Sequence, residues 1–332
     1  MTQPILDQLK KSRSILVVSH TNPDGDAIGA LLAAGLAFRA IGKKVHIVNE
    51  SVIPAVYRFL PSIKSISHGM DASENFDTVM VLDCGSLERV GTLISRIQKA
   101  PVIINIDHHM TNTQFGHLHL IDPEACATAE LVYRIIKRLN LGFTCPIATA
   151  IYTGILTDTG SFRFSNTNQA AFAICTEMIA AGADPYDVAQ HVYGHYSLGR
   201  IKLLNLALDS LEISPNGKMS IITLTQRMLK MTGTMAEDID GIINYGRRIE
   251  DVQVAVLIHE TANASRTPGR GRRDFHVSLR SDGDVNVADI AARFGGGGHA
   301  NAAGFSVVST LAEIKAKMYE ISENTPELWA VN

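Results

Sequence analysis

The sequence predicts an α/β protein, with a mostly parallel-sheet N-terminal domain followed by a smaller α/β C-terminal domain. Three observations lead there. Short apolar runs alternate with helical patterns through the first half of the chain, as in a parallel sheet covered on both faces. The chain has 332 residues, too many for one ordinary core, so two domains are expected. After residue 185 the alternation gives way to a long helical stretch and then to a second set of strands.

The elements follow in order. "SILVV" is a strand ending at Ser19, and "AIGALLAAGLAFRAIG" is an Ala-rich helix. "KVHIV", "TVMVLD" and "VIINID" are short apolar runs of strand length. "TAELVYRIIKRL" and "IATAIYTGIL" read as helices. "YDVAQHVYGHYSLGRIKLLNLALDSLEI" is largely helical and reads as a connector. "KMSIITLT", "VQVAVLIHE" and "DFHVSLRS" are the strands of the second domain, with helical patterns between and after them. The boundaries expected are 1–185 for the first domain, 186–212 for the connector and 213–332 for the second domain. No repeat at a solenoid period is present.

Composition narrows the function. Hydrophobic residues make up 46% and charged residues 19%, which suits a globular protein with a large core. A net charge of -3 gives no global field to attract long nucleic acid. The four cysteines (Cys84, Cys126, Cys145, Cys175) show no CxxC spacing and read as reduced, buried thiols of a cytosolic protein. The N-terminal stretch lacks the apolar run of a signal peptide, and no apolar run reaches spanning length, so no membrane association is expected.

The chemistry begins at "SHTNPDGDAIGA", where His20, Asp24 and Asp26 crowd one turn. Two carboxylates that close repel each other unless something positive lies between them. In a parallel sheet, ligands bind at the carboxyl ends of the strands. "ILVV" delivers Ser19 and His20 there, "TVMVL" delivers Asp83, and "VIINI" delivers Asp107, His108 and His109. Asp158, in "GILTDTGSF", follows a helix that can return to the same edge. Taken singly, Asp24 reads as a turn former, Asp26 as a helix N-cap, Asp83 as a loop cap and each histidine as a core residue. Their convergence on one sheet edge argues for a metal site instead. Carboxylates and imidazoles without cysteine favour Mn²⁺, with Mg²⁺, Fe²⁺ or Co²⁺ as alternatives, over structural zinc. Asp24, Asp26, Asp83 and Asp158 together match the charge of two divalent ions. Two such ions about 3.5–4 Å apart are a standard device for phosphoester hydrolysis.

The second domain supplies an anion grip. In "FGGGGH", the backbone N–H groups of Gly295, Gly296, Gly297 and Gly298 can approach an anion without a Cβ in the way. His299 ends that run, and Arg280 ends the strand "HVSLR". The combination suits a terminal phosphate, which Arg binds bidentately. Read alone, the glycine run would be a flexible loop.

"HTNPDGDAIG", "LDCGS", "IDHH" and "GILTDTGSFRFSNT" resemble the four motifs of the DHH phosphoesterase superfamily. "VSLRSDGDVNVADIAARFGGGGHANAAGF" resembles its associated DHHA1 domain. Among branches, the chain is most similar to the nano-RNase and 3′-phosphoadenosine-5′-phosphate (pAp) phosphatase type. The resemblance implies that His20 and Asp24 hold one metal, that Asp26, His108 and Asp158 hold the other, and that Asp83 bridges them. It implies that Asp107 orients a neighbouring ligand and that His109 faces the substrate. Arg163, in "SFRFSNT", either reaches substrate or pairs with a carboxylate. One feature departs from the pattern: "TANASRTPGRGRRD" is long and basic, with Arg266, Arg270, Arg272 and Arg273 expected to solvate a hairpin tip.

The expected reaction is metal-assisted, in-line hydrolysis of a phosphoester. A cleft between two domains admits little polymer, so RNAs of about two to five nucleotides, pAp or the linear dinucleotide pApA are the expected substrates. A homodimer is left open. A cyclic-dinucleotide phosphodiesterase, a type II inorganic pyrophosphatase and a non-catalytic nucleotide sensor are the competing readings. The glycine run disfavours the pyrophosphatase, and a full ligand set disfavours the sensor.

Overall fold

Two units make up the chain, Met1–His195 and Tyr196–Asn332, and the division falls inside the stretch expected to be a connector. The computed structural model describes residues 2–71, 74–194, 196–261, 272–281 and 285–324. Arg266 and Arg270 of the basic segment lie outside the described residues, as does the side chain of His299.

The first unit runs α1 (Gln3–Lys11), β1 (Ser14–Ser19), α2 (Gly25–Ala40), β2 (Lys44–Val48), β3 (Ile66–Ser67), β4 (Thr78–Leu82), α3 (Ile94–Ile97), β5 (Ile103–Asp107), β6 (Leu118–Ile121), α4 (Thr128–Arg138), α5 (Cys145–Asp158), α6 (Gln169–Ala180) and α7 (Pro185–Ala189). Its six strands are all parallel, in the order β3-β2-β1-β4-β5-β6. That is a doubly wound order, and its switch point lies between β1 and β4. Alternate residues feed opposite cores: Ile15 and Val17 pack with the helices, while Leu16 and Val18 face Val79, Val81 and Val90. Both faces are covered, which is why these strands read as continuous apolar runs.

The pairing of α2 with α5 positions the site. A Cβ on Gly29 would stand 2.4 Å from the Ala150 carbonyl oxygen, and one on Gly154 would stand 2.6 Å from the Ala129 Cβ. Gly29 lets α2 and α5 approach backbone to backbone, and Gly154 makes room on α5 for Ala129 of α4 and the Asp26 side chain. The start of α2 and the end of α5 therefore meet, and they carry Asp26 and Asp158. The helix expected over "IATAIYTGIL" extends further, so that Asp158 is its last residue rather than a residue beyond it.

The second unit runs α8 (Leu198–Asp209), β7 (Glu212–Ile213), β8 (Met219–Leu224), α9 (Gln226–Thr232), α10 (Ile243–Arg247), β9 (Val254–Glu260), β10 (Arg273–Ser281), α11 (Val287–Ala292), β11 (Gly297–His299), β12 (Ala302–Ser309) and α12 (Leu311–Asn324). Its sheet has the order β11-β12-β10-β9-β8-β7, antiparallel except for β8 beside β9. The end of the glycine run is not a loop: Gly297 and Gly298 pair with Gly304 and Ala303 as an edge strand. Gly298 has φ 147°, a conformation glycine adopts readily. Among the described residues, no helix is long and apolar enough to cross a membrane.

Candidate metal centre

The exit of β1 is pinned before it reaches the first candidate ligand. Asn49, fully buried at the end of β2, donates from Nδ2 to Ser19 Oγ (2.8 Å) and to the His20 carbonyl (2.9 Å). The His20 ring is fixed in turn, because Nδ1 donates to the Thr21 carbonyl at 2.8 Å. Its Nε2 then stands 3.4 Å from Asp83 Oδ2. Asp24, not Asp26, is the N-cap of α2, accepting from the Ala27 N–H at 3.0 Å. Such a cap contributes about 1 kcal/mol. Asp26 is the second residue of α2, in its first turn, and faces α4. Its two oxygens accept the backbone N–H groups of Thr128 (2.6 Å) and Ala129 (2.8 Å) at the helix N-terminus, where the helix dipole favours a negative charge.

Asp83 follows β4 at the switch point and has φ 56°, left-handed for a residue with a side chain. Such backbone costs on the order of 1–3 kcal/mol and persists where its surroundings enforce it. Here the Asp83 N–H donates to the Ile106 carbonyl at 3.0 Å, and Thr128 Oγ1 donates to Asp83 Oδ1 at 3.0 Å. His108 and His109 follow β5. His108 Nδ1 lies 3.3 Å from the Ala125 carbonyl, so Nε2 faces Asp158 Oδ2 (3.6 Å) and Asp83 Oδ1 (3.8 Å).

Asp107 is fully buried and spends both oxygens inside the protein. Oδ1 accepts from His109 Nδ1 (2.6 Å) and the His108 N–H (2.9 Å), and Oδ2 accepts from Asn112 (2.6 Å).

Three overlapping groups result: His20–Asp24–Asp83, Asp26–His108–Asp158 and Asp83–His108–His109. Within each, the donor atoms lie within 4.8 Å of one another, and Asp83 and His108 each belong to two groups. The set fits divalent cations. The donors are imidazole nitrogens and carboxylate oxygens, and the Nδ1 contacts of His20 and His108 turn each Nε2 inward, as a metal-bound histidine requires.

The electrostatics agree. Burial opposes the charge of Asp83, but the hydrogen bond of His20 and the charges of His20, His109 and His108 outweigh it, holding the carboxyl well below its usual range. Burial raises Asp26 well above that range, with Asp83, Asp158 and Asp24 adding to it. Burial likewise lifts Asp158 to about 7, and Asp24 and Asp83 add to this against the pull of His108.

The other residues singled out in the sequence are not members of these donor groups. Arg163 donates from Nε to the Gly160 carbonyl at 2.5 Å. Arg280, Gly295–Gly298 and His299 belong to the second unit, where Arg280 Nη1 donates to the Leu279 carbonyl at 2.9 Å. Three polar residues escaped the sequence reading: Thr128, Asn112 and Asn166, the last donating to Asp158 Oδ2 at 3.0 Å. Thr128 opens the helix read as "TAELVYRIIKRL", and Asn166 lies inside "SFRFSNT", but neither has a local pattern that announces its partner.

Residues 14–155 match the DHH family, N-terminal domain, and residues 223–324 match the DHHA1 domain. The chain is 34% identical to the bifunctional oligoribonuclease and PAP phosphatase NrnA of Thermus thermophilus, covering 87% of this chain and 83% of that one. It is 26% identical to the probable bifunctional oligoribonuclease and PAP phosphatase NrnA of Streptococcus mutans, covering 96% and 94%. The crystal structure of an exopolyphosphatase-related protein from Bacteroides fragilis superposes with a TM-score of 0.89 at 27% identity, covering 98% and 97%. Fold, donor set and relatives together define a metal-dependent hydrolase of phosphoesters. The chain belongs to the DHH family of phosphoesterases and carries that family's DHHA1 domain.

Proposed function

We propose that the chain hydrolyses RNAs of about two to five nucleotides to mononucleotides, a length set by a bounded site, and removes the 3′-phosphate of pAp to give AMP. The observation that supports this is that Asp83 shares one donor group with His20 and Asp24 and another with His108, which itself belongs to the group of Asp26 and Asp158. The names of the Thermus and Streptococcus relatives support the substrate class.

In this reading His20 and Asp24 hold one cation, Asp26, His108 and Asp158 hold a second, and Asp83 serves both. Mn²⁺ is the first choice for an oxygen- and imidazole-rich set. When bound, the cations neutralise phosphoryl charge and make water a better nucleophile at neutral pH. The chain's own residues do the rest. The pinned turn at His20 and the strained turn at Asp83 fix the donor atoms in advance, so little reorganisation accompanies the reaction. Water adds to phosphorus in line with the leaving oxygen, which needs a proton or a hydrogen bond as it departs. His109, oriented by Asp107, is placed for that task. In the second unit Arg280, the glycine run and His299 take the phosphate at the far end of the substrate, and Arg163 adds a further cation toward it. Four free thiols fit a protein of the reducing cytoplasm, although Cys145, expected to be buried like Cys84, Cys126 and Cys175, is exposed near the start of α5.

The test is a product assay with Mn²⁺ on 5′-phosphorylated RNAs, from the dinucleotide to long oligomers, beside pAp and pApA. Mononucleotides from the short RNAs and AMP from pAp are expected, with turnover falling as length grows. Equal turnover of long oligomers, or turnover of pyrophosphate alone, would overturn the reading.

A further inference from the structure

β10 has two unlike faces. Phe275, Val277 and Leu279 enter the core of the second unit, while His276, Ser278 and Arg280 share the other face and remain partly exposed. The register sets His259 of β9 directly across from His276, with the exposed Ser306 of β12 on the opposite side. The two imidazole centroids are 5.6 Å apart at a tilt of 54°, and His276 Nδ1 lies 3.1 Å from Ser306 Oγ. Gly304 pairs with Ser278, and a Cβ there would stand 3.2 Å from His276 Nε2. The His276 ring therefore leans along the strand toward Arg280, over a position kept open by the missing side chain.

We infer that His259 and His276 form a stacking subsite for the nucleoside beyond the phosphate held by Arg280, occupied by RNAs longer than a dinucleotide. The inference rests on the reading above, in which Arg280 takes a phosphate. In a dinucleotide that phosphate is terminal. In a longer RNA it is internal, and the chain continues along β10. Arg280 lies four residue steps along the strand from His276, about 13 Å at about 3.3 Å per step, and the lean of the ring shortens that reach. Imidazole faces stack unpaired bases, and stacking tolerates any sequence, as a scavenger of mixed short RNAs requires. Both rings are suited to it. Burial lowers His276, with Arg280 adding to the effect, and burial lowers His259, with His276 adding to it, so both favour the flat neutral form.

The test reads the ratio of kcat/KM for a 5′-phosphorylated trinucleotide to that for the dinucleotide, with the full chain and Mn²⁺. His276→Ala is expected to lower this ratio about tenfold, the loss of one base stack. His276→Phe, which keeps a flat ring, is expected to hold the ratio within about twofold of the original, an outcome a merely structural role would not give. His259→Ala is the second variant, for the case in which His276→Ala does not fold, and its ratio is expected to fall in the same direction. An unchanged ratio in the folded alanine variants overturns the subsite while leaving RNA hydrolysis by the unaltered chain intact. No hydrolysis of any RNA by the unaltered chain overturns both readings.

Discussion

Asp107 Oδ1 lies 2.6 Å from His109 Nδ1, and the other oxygen of the same carboxylate is taken by Asn112. The aspartate of the Asp-His-His run thus belongs to none of the three donor groups and holds one of their members, His109, by the ring. It fixes which nitrogen of His109 carries a proton and where the ring points.

Asp107→Asn should therefore lower kcat while leaving bound metal near its original level. Outer partners of this kind typically contribute about 10- to 100-fold in activity. Parallel measurement of kcat and metal content checks it. A loss of metal equal to the loss of activity would make Asp107 a ligand instead.

The stability of the metal-stripped protein should fall as pH rises. Asp158 stands at about 7 in the fold, against about 4 for an ordinary aspartate, so its contribution is fully present at acid pH and is lost as pH climbs through 7. Burial lowers His20 and His109, but Asp83 and Asp107 outweigh it and leave both raised. Their contributions are present below about 6.5 and fade above it. Asp83, held low by His20 against burial, acts oppositely, but only below the usual carboxylate range. Thermal melts of chelator-treated protein from acid to alkaline pH should show the fall, and Mn²⁺ should reverse it at the alkaline end by binding the native state. A melting temperature that rises with pH would contradict the electrostatics described for the cluster.

Arg280→Ala should raise KM with kcat nearly kept, because a phosphate contact made equally in ground and transition states contributes only to binding. The loss is about 1.5–3 kcal/mol, roughly ten- to a hundredfold. The penalty should shrink on a substrate lacking the terminal phosphate, and the difference isolates the contact. Equal penalties with and without that phosphate would remove Arg280 from the phosphate grip.

Gly154→Ala should destabilise the protein by about 1–3 kcal/mol through overpacking. The new Cβ would stand 2.6 Å from the Ala129 Cβ and 3.0 Å from Asp26 Oδ1, so activity should fall with stability. Gly142→Ala is the comparison, since nothing stands within 4 Å of a Cβ there. Denaturant melts of the two variants check it, and equal stability would contradict the close helix approach.

The strand ends were legible because apolar runs stop abruptly at Asp and His, and the order of runs fixes a parallel sheet. Ser19, Asp83 and Asp107 therefore announced one edge. What the sequence hid depends on long-range pairing. Thr128 reaches Asp83 across 45 residues and Asp26 across 102, and a threonine opening a helix carries no sign of either. Asp24 and Asp26 both suit a helix start, and only the three-dimensional position of α4 decides that Asp24 caps α2 while Asp26 turns to α4. The glycine run pairs through backbone alone, so its strand character left no mark in side-chain pattern. The short strands β3 and β6 are only partly buried and lack a continuous apolar run.

In the proposed mechanism Asp83 serves two cations at once. The direct measurement is metal stoichiometry and turnover of Asp83→Ala beside the unaltered chain, after dialysis against Mn²⁺. Two ions per unaltered chain are expected, at most one in the variant, and no detectable hydrolysis of a 5′-phosphorylated dinucleotide or pAp by it. Two ions retained with near-normal turnover would contradict the claim.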